Sequence, residues 1–238
     1  MLQGDVQNKC LTALPNFEYE TIQGDLQFVA LTTGEVIYQP QQAITDVYFP
    51  ESGLISLIGM TEDGSSVEVA MIGKEGALGL LSLLSPASYP YRATVQIQGK
   101  AFKVSAKSLR KLFTEKSFFQ QIAMSCINCV VLQIAQSVIC NRFHNLEQRL
   151  ARWLLVSHDC IGSTHLPYTH DILASFLGTR RVSITLALGA LQESGILRPH
   201  RGVVEIIDRD RLEKTSCECY AIVRSQHNAP CLTTAPGA

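Results

Sequence analysis

Three sets of residues in this chain of 238 are of types that could do chemistry. The first lies between Leu166 and Leu197, in LPYTHDILASFLGTRRVSITLALGALQESGIL. There Thr179 precedes Arg180 and Arg181, whose forked guanidinium donors match phosphate oxygens and the edge of guanine. Ser183 and Thr185 add hydroxyls beside them, and Arg201 follows in a later loop. The second set is the turn Gly73-Lys74-Glu75-Gly76-Ala77-Leu78-Gly79, with Arg92 and Thr94 downstream. A glycine-rich turn at a helix start beside a cation can hold an anion, and the same residues also make an ordinary strand-to-helix corner. The third set is the thiols Cys10, Cys126, Cys129, Cys140, Cys160, Cys217, Cys219 and Cys231. They form no paired Cys-x-x-Cys units with partners at zinc-like separation, so reduced structural thiols are expected, with no metal ligand set and no catalytic residue. Cys126 and Cys129 share a helix face, where small side chains permit close packing, and they lack the strand-to-helix setting of a redox pair.

The elements that must position these sets follow from composition and periodicity. A hydrophobic content of 46% can furnish real cores. The net charge of -1 hides an asymmetry, because ten of the eleven basic residues after position 139 are arginine, and all six histidines lie there too. The N-terminus MLQGDVQNKC has no basic patch followed by an apolar core, so a cytoplasmic protein is expected.

Between about Asp25 and Ser105 the chain reads as short strands: Glu35 to Tyr38, Asp46 to Phe49, Gly53 to Ile58, Ser66 to Ile72, Ala93 to Gln98 and Ala101 to Val104. Glycines and prolines separate them, which predicts an antiparallel jelly roll or barrel. Between Lys116 and Arg142 no side chain is charged. One helix of about 25 residues is expected there, hydrophobic around most of its circumference and so buried on more than one side. Its length would suffice for a membrane span, but its glutamines, asparagines and serines suit lipid poorly, and no membrane partner is expected. A twin helix from a second subunit explains the pattern better, with Ile122, Cys126, Cys129, Gln133 and Gln136 as the seam. Residues 140–145 then read as a hinge.

Beyond the hinge, Leu146, Leu150, Trp153 and Leu154 stripe an amphipathic helix. Thr169 caps the next helix, Gly178 lets the chain turn, and Thr179 caps a second helix over about Arg180 to Glu193. Ile184, Ala187, Leu188 and Leu191 turn inward, leaving Arg180, Arg181, Val182, Ser183, Thr185 and Leu186 on or near the exposed side of an end shaped to enter a major groove. Gly195 stops that helix, and Ile196–Arg198 with Val203–Ile207 predict a hairpin whose loop, Pro199 to Gly202, carries Arg201 to phosphate. A helix-turn-helix that binds double-stranded DNA follows. The alternative is an effector-binding sensor whose helix-turn-helix mediates protein contacts.

The stretch LASFLGTRRVSITLALGALQESGIL followed by RGVVEIIDRDRLE resembles the winged helix-turn-helix of the CRP/FNR family of bacterial transcription regulators, over about Thr169 to Glu213. The resemblance implies an α+β fold: an N-terminal antiparallel jelly roll of cyclic-nucleotide-binding type (1–116), a dimerisation helix (117–142), a winged helix-turn-helix (143–216) and a C-terminal tail (217–238). It also implies a homodimer on a two-fold-symmetric DNA site, RNA polymerase as a partner, and an effector pocket around Glu75, Gly76, Ala77, Leu78, Arg92 and Thr94. Three departures qualify it. The Gly-Glu order of the phosphate cassette is lost, and Tyr91 stands where the phosphate arginine belongs, so Arg92 falls on the opposite strand face and cyclic AMP is not the expected effector. Only Cys10 precedes Cys126, which does not fit an iron-sulfur sensor, so no cofactor is predicted. Val182 and Leu186 replace polar base-reading positions and can meet only a thymine methyl.

Overall fold

The computed structural model describes residues 3–85, 88, 90–113 and 116–228; Cys231 and Pro86 lie outside them. Helices α1 (Lys9–Thr12) and α2 (Asn16–Ile22) lead into strands β1 (Gln27–Leu31), β2 (Val36–Tyr38), β3 (Asp46–Met60), β4 (Ser66–Ile72) and β5 (Arg92–Ser105). The sheet runs β1-β5-β3-β4, all antiparallel, with β2 also on β5. The expected strand breaks at Gly53 and Gly99 are bends within continuous strands. A side chain on Gly99 would sit 2.1 Å from the Ser52 carbonyl oxygen, and one on Gly53 2.5 Å from that of Ile97. The two backbones therefore cross where only glycine fits, and the register slips on either side of Ser52. Strand β1, bracketed by Gly24 and Gly34, lacks clean polar–apolar alternation and was not among the expected strands.

Helix α3 (Ala106–Leu112) precedes the long α4 (Phe118–Phe143), capped by Ser117. By length and composition α4 is apolar enough to cross a membrane, and here it lays one face on its own barrel. Ile122 and Cys126 join the core formed with Leu11, Phe102 and Leu109. Gln133 closes a pair of bonds with strand β4, accepting from Met71 N–H and donating to Met71 C=O, both at 3.1 Å. The expected seam is corrected by this packing: Ile122, Cys126 and Gln133 are buried within the chain, Cys129 is half-buried, and Gln136 donates to Cys219 Sγ at 3.0 Å. The opposite face is open. Met124, Asn128, Val131, Ala135, Val138 and Arg142 repeat there at alternating steps of four and three residues, all exposed.

Helix α5 (Leu146–Ile161) opens with a capping box of Asn145 and Gln148. Strand β6 (His165–Leu166), helices α6 (His170–Phe176) and α7 (Arg181–Glu193), strands β7 (Leu197–His200) and β8 (Val203–Ile206), and helices α8 (Arg209–Thr215) and α9 (Cys219–Asn228) complete the chain. Leu150, Trp153, Leu154, Leu173, Ile184, Leu188 and Leu191 share one core, which also takes in Leu54, Ile58 and Met71 from the barrel. The segment expected as a tail is in part structural: Tyr220 and Val223 of α9 are buried in that core.

Candidate nucleic-acid interface

The helix pair is set by local chemistry. Thr169 Oγ1 accepts from Ile172 N–H at 3.2 Å and starts α6. Gly178, at φ 58°, turns the chain in the left-handed region, and Thr179 N–H reaches back to Ala174 C=O at 2.9 Å. Helix α7 leaves at 109° to α6. Its cap is Arg180 and not Thr179, with no side-chain cap bond; Ser183 N–H already donates to Arg180 C=O at 3.0 Å, so among the described residues the N–H groups of Arg181 and Val182 are left to meet an anion.

Ile184, Ala187, Leu188 and Leu191 face inward, and Arg180, Arg181, Val182, Thr185 and Leu186 face water, with Ser183 half-buried. Val182 and Leu186 are 70% and 71% exposed, a large apolar surface with no partner among the described residues. Arg181 Nε lies 3.5 Å from Asp171 Oδ1, both exposed, an ion pair worth about 0–1 kcal/mol and readily exchanged for a stronger acceptor. Thr185 differs from expectation. Its hydroxyl donates to Arg181 C=O at 3.1 Å and lies 2.9 Å from His170 Nδ1, so its bonding is largely spent between the helices. Neither His170 nor Asp171 was foreseen; their place at the start of α6, facing the start of α7, is the signal that could have found them.

Strands β7 and β8 form a hairpin closed by Arg201 and Gly202 alone, with Gly202 at φ 76°. Pro199 and His200, expected in the loop, belong to the strand. Arg201 stands at the exposed tip. Behind it, Glu205 accepts from Arg198 at 3.2 Å and lies 3.3 Å from His200, and the His200 contact is the chief cause holding its carboxyl below the usual range.

The expected effector residues are not brought together. Gly73 N–H donates to Glu75 Oε1 at 2.8 Å, and Cys160 Sγ lies 3.4 Å from the same oxygen, so Glu75 turns toward α5. Ala77 and Leu78 are buried in barrel cores, and Gly76 lies in the turn. Ala93 and Val95 face the core with Leu57 and Ile72. Arg92 and Thr94, alternating with them, pair with Ile58 and Ser56 and take the face covered by the C-terminal unit. A cavity of ≈ 50 Å³ between barrel and α4 is lined by Leu57, Ile72, Leu78, Tyr91, Val130 and Ile134 among others.

Where barrel and C-terminal unit meet, Glu68 is buried. Ser56 Oγ donates to it at 2.5 Å and Trp153 Nε1 at 2.6 Å. Burial pushes its pKa up to about 7, against the opposing pull of those donors and of Arg152. Nearby, Ser66 and Ser175 hydroxyls meet at 2.7 Å, beside an open cleft of ≈ 780 Å³ whose walls include Ser65, Thr179 and Arg180.

The thiols also depart from expectation. Cys140, His144, Cys217 and Cys219 bring their ligand atoms within 4.8 Å of one another, from two segments too far apart for any spacing motif to link.

Comparison with known proteins agrees with this layout. Residues 28–116 match the cyclic nucleotide-binding domain family and residues 148–215 the Crp-like helix-turn-helix domain. The global nitrogen regulator of Synechococcus elongatus is 24% identical over 192 residues, covering 77% of this chain and 86% of its own. FixK2 of Bradyrhizobium japonicum shares the fold with a TM-score of 0.70 at 18% identity, over 81% of this chain and 98% of its own. A CRP/FNR-family transcriptional regulator of Thermus thermophilus does so with 0.66 at 18% identity, over 80% and 98%.

Proposed function

Since this chain belongs to the CRP/FNR family of transcription regulators, we propose that it works as a homodimer gripping a two-fold-symmetric DNA site with paired α7 helices, under a signal other than cyclic AMP. The observation that carries this reading is the exposed start of α7, with Arg180, Arg181, Val182 and Leu186 in water beside the Arg201 hairpin. In the major groove Arg181 would exchange Asp171 for a guanine edge, while Val182 and Leu186 would pack on thymine methyls. Arg180, Ser183, Thr169 and Arg201 would hold phosphates on either side.

The dimer reading is supported by the open stripe of α4. Met124, Val131 and Val138 follow heptad spacing on a face left exposed among the described residues, and two such helices side by side would bury it. The paired α7 helices would then stand about 34 Å apart, one turn of DNA. RNA polymerase is the expected second partner of the DNA-bound dimer.

A signal other than cyclic AMP is supported by the barrel itself. Its core side offers Ala93 and Val95 where a phosphate would need donors, and Arg92 with Thr94 lies on the other face. The barrel would serve as a sensor for an apolar effector, or for a change in its contact with the C-terminal unit.

Mobility shifts of the full chain on DNA selected from a random pool, run across a salt series, test the reading. A groove reader that displaces counterions weakens steeply as salt rises. Binding to a partner protein with no salt-sensitive DNA complex would support the protein-contact alternative instead.

A further inference from the structure

We propose that Cys140, His144, Cys217 and Cys219 form a tetrahedral zinc(II) site that clamps helix α9 onto the last turn of α4, at the joint between the barrel and the DNA reader. The ligands come from two segments. Cys140 and His144 stand four residues apart on α4, so both face the same way, and His144 is the residue that ends the helix. Cys217 lies in the link after α8, and Cys219 begins α9. The second segment is seated independently, because Tyr220 is buried and its hydroxyl bonds Asp159 and Arg209, each at 2.7 Å.

The spacing fits one ion. Cys140 Sγ and Cys217 Sγ are 3.6 Å apart, Cys219 Sγ and His144 Nδ1 are 3.5 Å apart, and no pair among the four exceeds 4.8 Å. Zinc bonds of about 2.3 Å to sulfur and about 2.0 Å to nitrogen give tetrahedral edges of about 3.8 Å between sulfurs and about 3.5 Å from sulfur to nitrogen. Three soft sulfurs and one imidazole in that geometry select zinc over the oxygen-seeking cations.

The surroundings supply what such a site needs. His144 directs Nε2 at Glu218 Oε1, 3.2 Å away. A proton held on that nitrogen leaves the Nδ1 lone pair aimed at the sulfurs, the carboxylate–histidine arrangement that orients metal-bound imidazoles. Gln136 Nε2 donates to Cys219 Sγ at 3.0 Å. Three thiolates around a doubly charged ion carry one net negative charge, and two guanidiniums of α5 stand by to balance it. Arg149 and Arg152 both sense Cys140 electrostatically, and each has a buried Nε with no hydrogen-bond partner among the described residues. Loading releases the three thiol protons to solvent and changes no oxidation state. With α9 fixed to α4, the turn at His144 between α4 and α5 loses its freedom, so the ion would set how the reader is held relative to the dimer helix.

Elemental analysis of the full chain, purified reduced and without chelator, tests this. One zinc per chain is expected, and cobalt(II) in its place should give the intense visible bands of a tetrahedral thiolate site. Cys219→Ser and Cys140→Ser should lose the metal, Cys160→Ser should keep it, and Glu218→Ala should weaken zinc affinity by about 10–100-fold. His144→Cys should retain one metal while shifting the cobalt bands toward a four-thiolate pattern, a readout that simple packing would not move. Should the serine variants not fold, cobalt titration of the unaltered chain still decides the matter. Absence of metal, iron in place of zinc, unchanged zinc in folded Cys219→Ser, or a Cys140–Cys217 disulfide in reduced protein would each overturn the assignment.

Discussion

The start of α7 and the interior of the barrel are the two places where a ligand is expected, and they are built in opposite ways. Helix α7 leaves a guanidinium on a weak ion pair and two large apolar side chains in water. The barrel turns Leu57, Ile72, Leu78, Ala93 and Val95 onto one another and sends its arginine to the far face. A surface meant for a partner keeps its bonding capacity open, whereas a core spends it internally. The contrast teaches that one chain can leave bonding capacity open at one end and spend it internally at the other.

The sharpest way to break this contrast is to deny the reader its twin. Val131→Asp sets a charge in the middle of the open α4 stripe, where an unpaired buried charge costs several kcal/mol. The chain should become monomeric by light scattering and lose at least about 100-fold in affinity for a two-fold site. A persisting dimer would place the seam elsewhere.

The next effect concerns Glu68, which joins the two halves. Its folded pKa of about 7 lies above its ordinary 4.5, so the folded state keeps a proton that the unfolded state gives up. Stability is therefore full below pH 4.5, falls as pH rises toward 7, and is flat above that; the drop is about 3 kcal/mol at most. Melting temperatures between pH 4.5 and 8 should show the decline, and Glu68→Gln should remove it.

Arg181→Ala comes third. It should cost about 1–3 kcal/mol on the preferred site and less on random DNA; equal losses on both would make Arg181 a phosphate contact only. Smallest is the barrel side, where calorimetry with cyclic AMP should give no binding heat. Tight binding would overturn the reading that the signal is other than cyclic AMP.

Much of this was legible in the sequence because local rules acted alone. Thr169, Gly178 and Gly195 are caps and turns whose chemistry depends on their neighbours only, and they fixed the α6–α7 pair correctly, apart from the cap at Arg180. Gly53 and Gly99 misled because a glycine that ends a strand and one that lets two strands cross look alike until the crossing partner is known. The α4 seam misled for a related reason: both Ile122 to Gln136 and Met124 to Arg142 keep heptad spacing, and tertiary contacts such as the burial of Ile122 and Cys126 and the bonds of Gln133 and Ser137 to strand β4 decide which face the barrel takes. The Cys140, His144, Cys217 and Cys219 cluster was invisible, since no spacing motif joins segments that meet only through the docking of α9.

The contact between Trp153 and Glu68 has an optical consequence. The chain holds one tryptophan, buried against Tyr168 at a ring separation of 4.6 Å and pointing its indole N–H across the joint. All tryptophan emission therefore originates at the boundary between barrel and reader. A signal that loosens that boundary should shift the emission to the red in unlabelled protein, so the molecule reports its own switching in light.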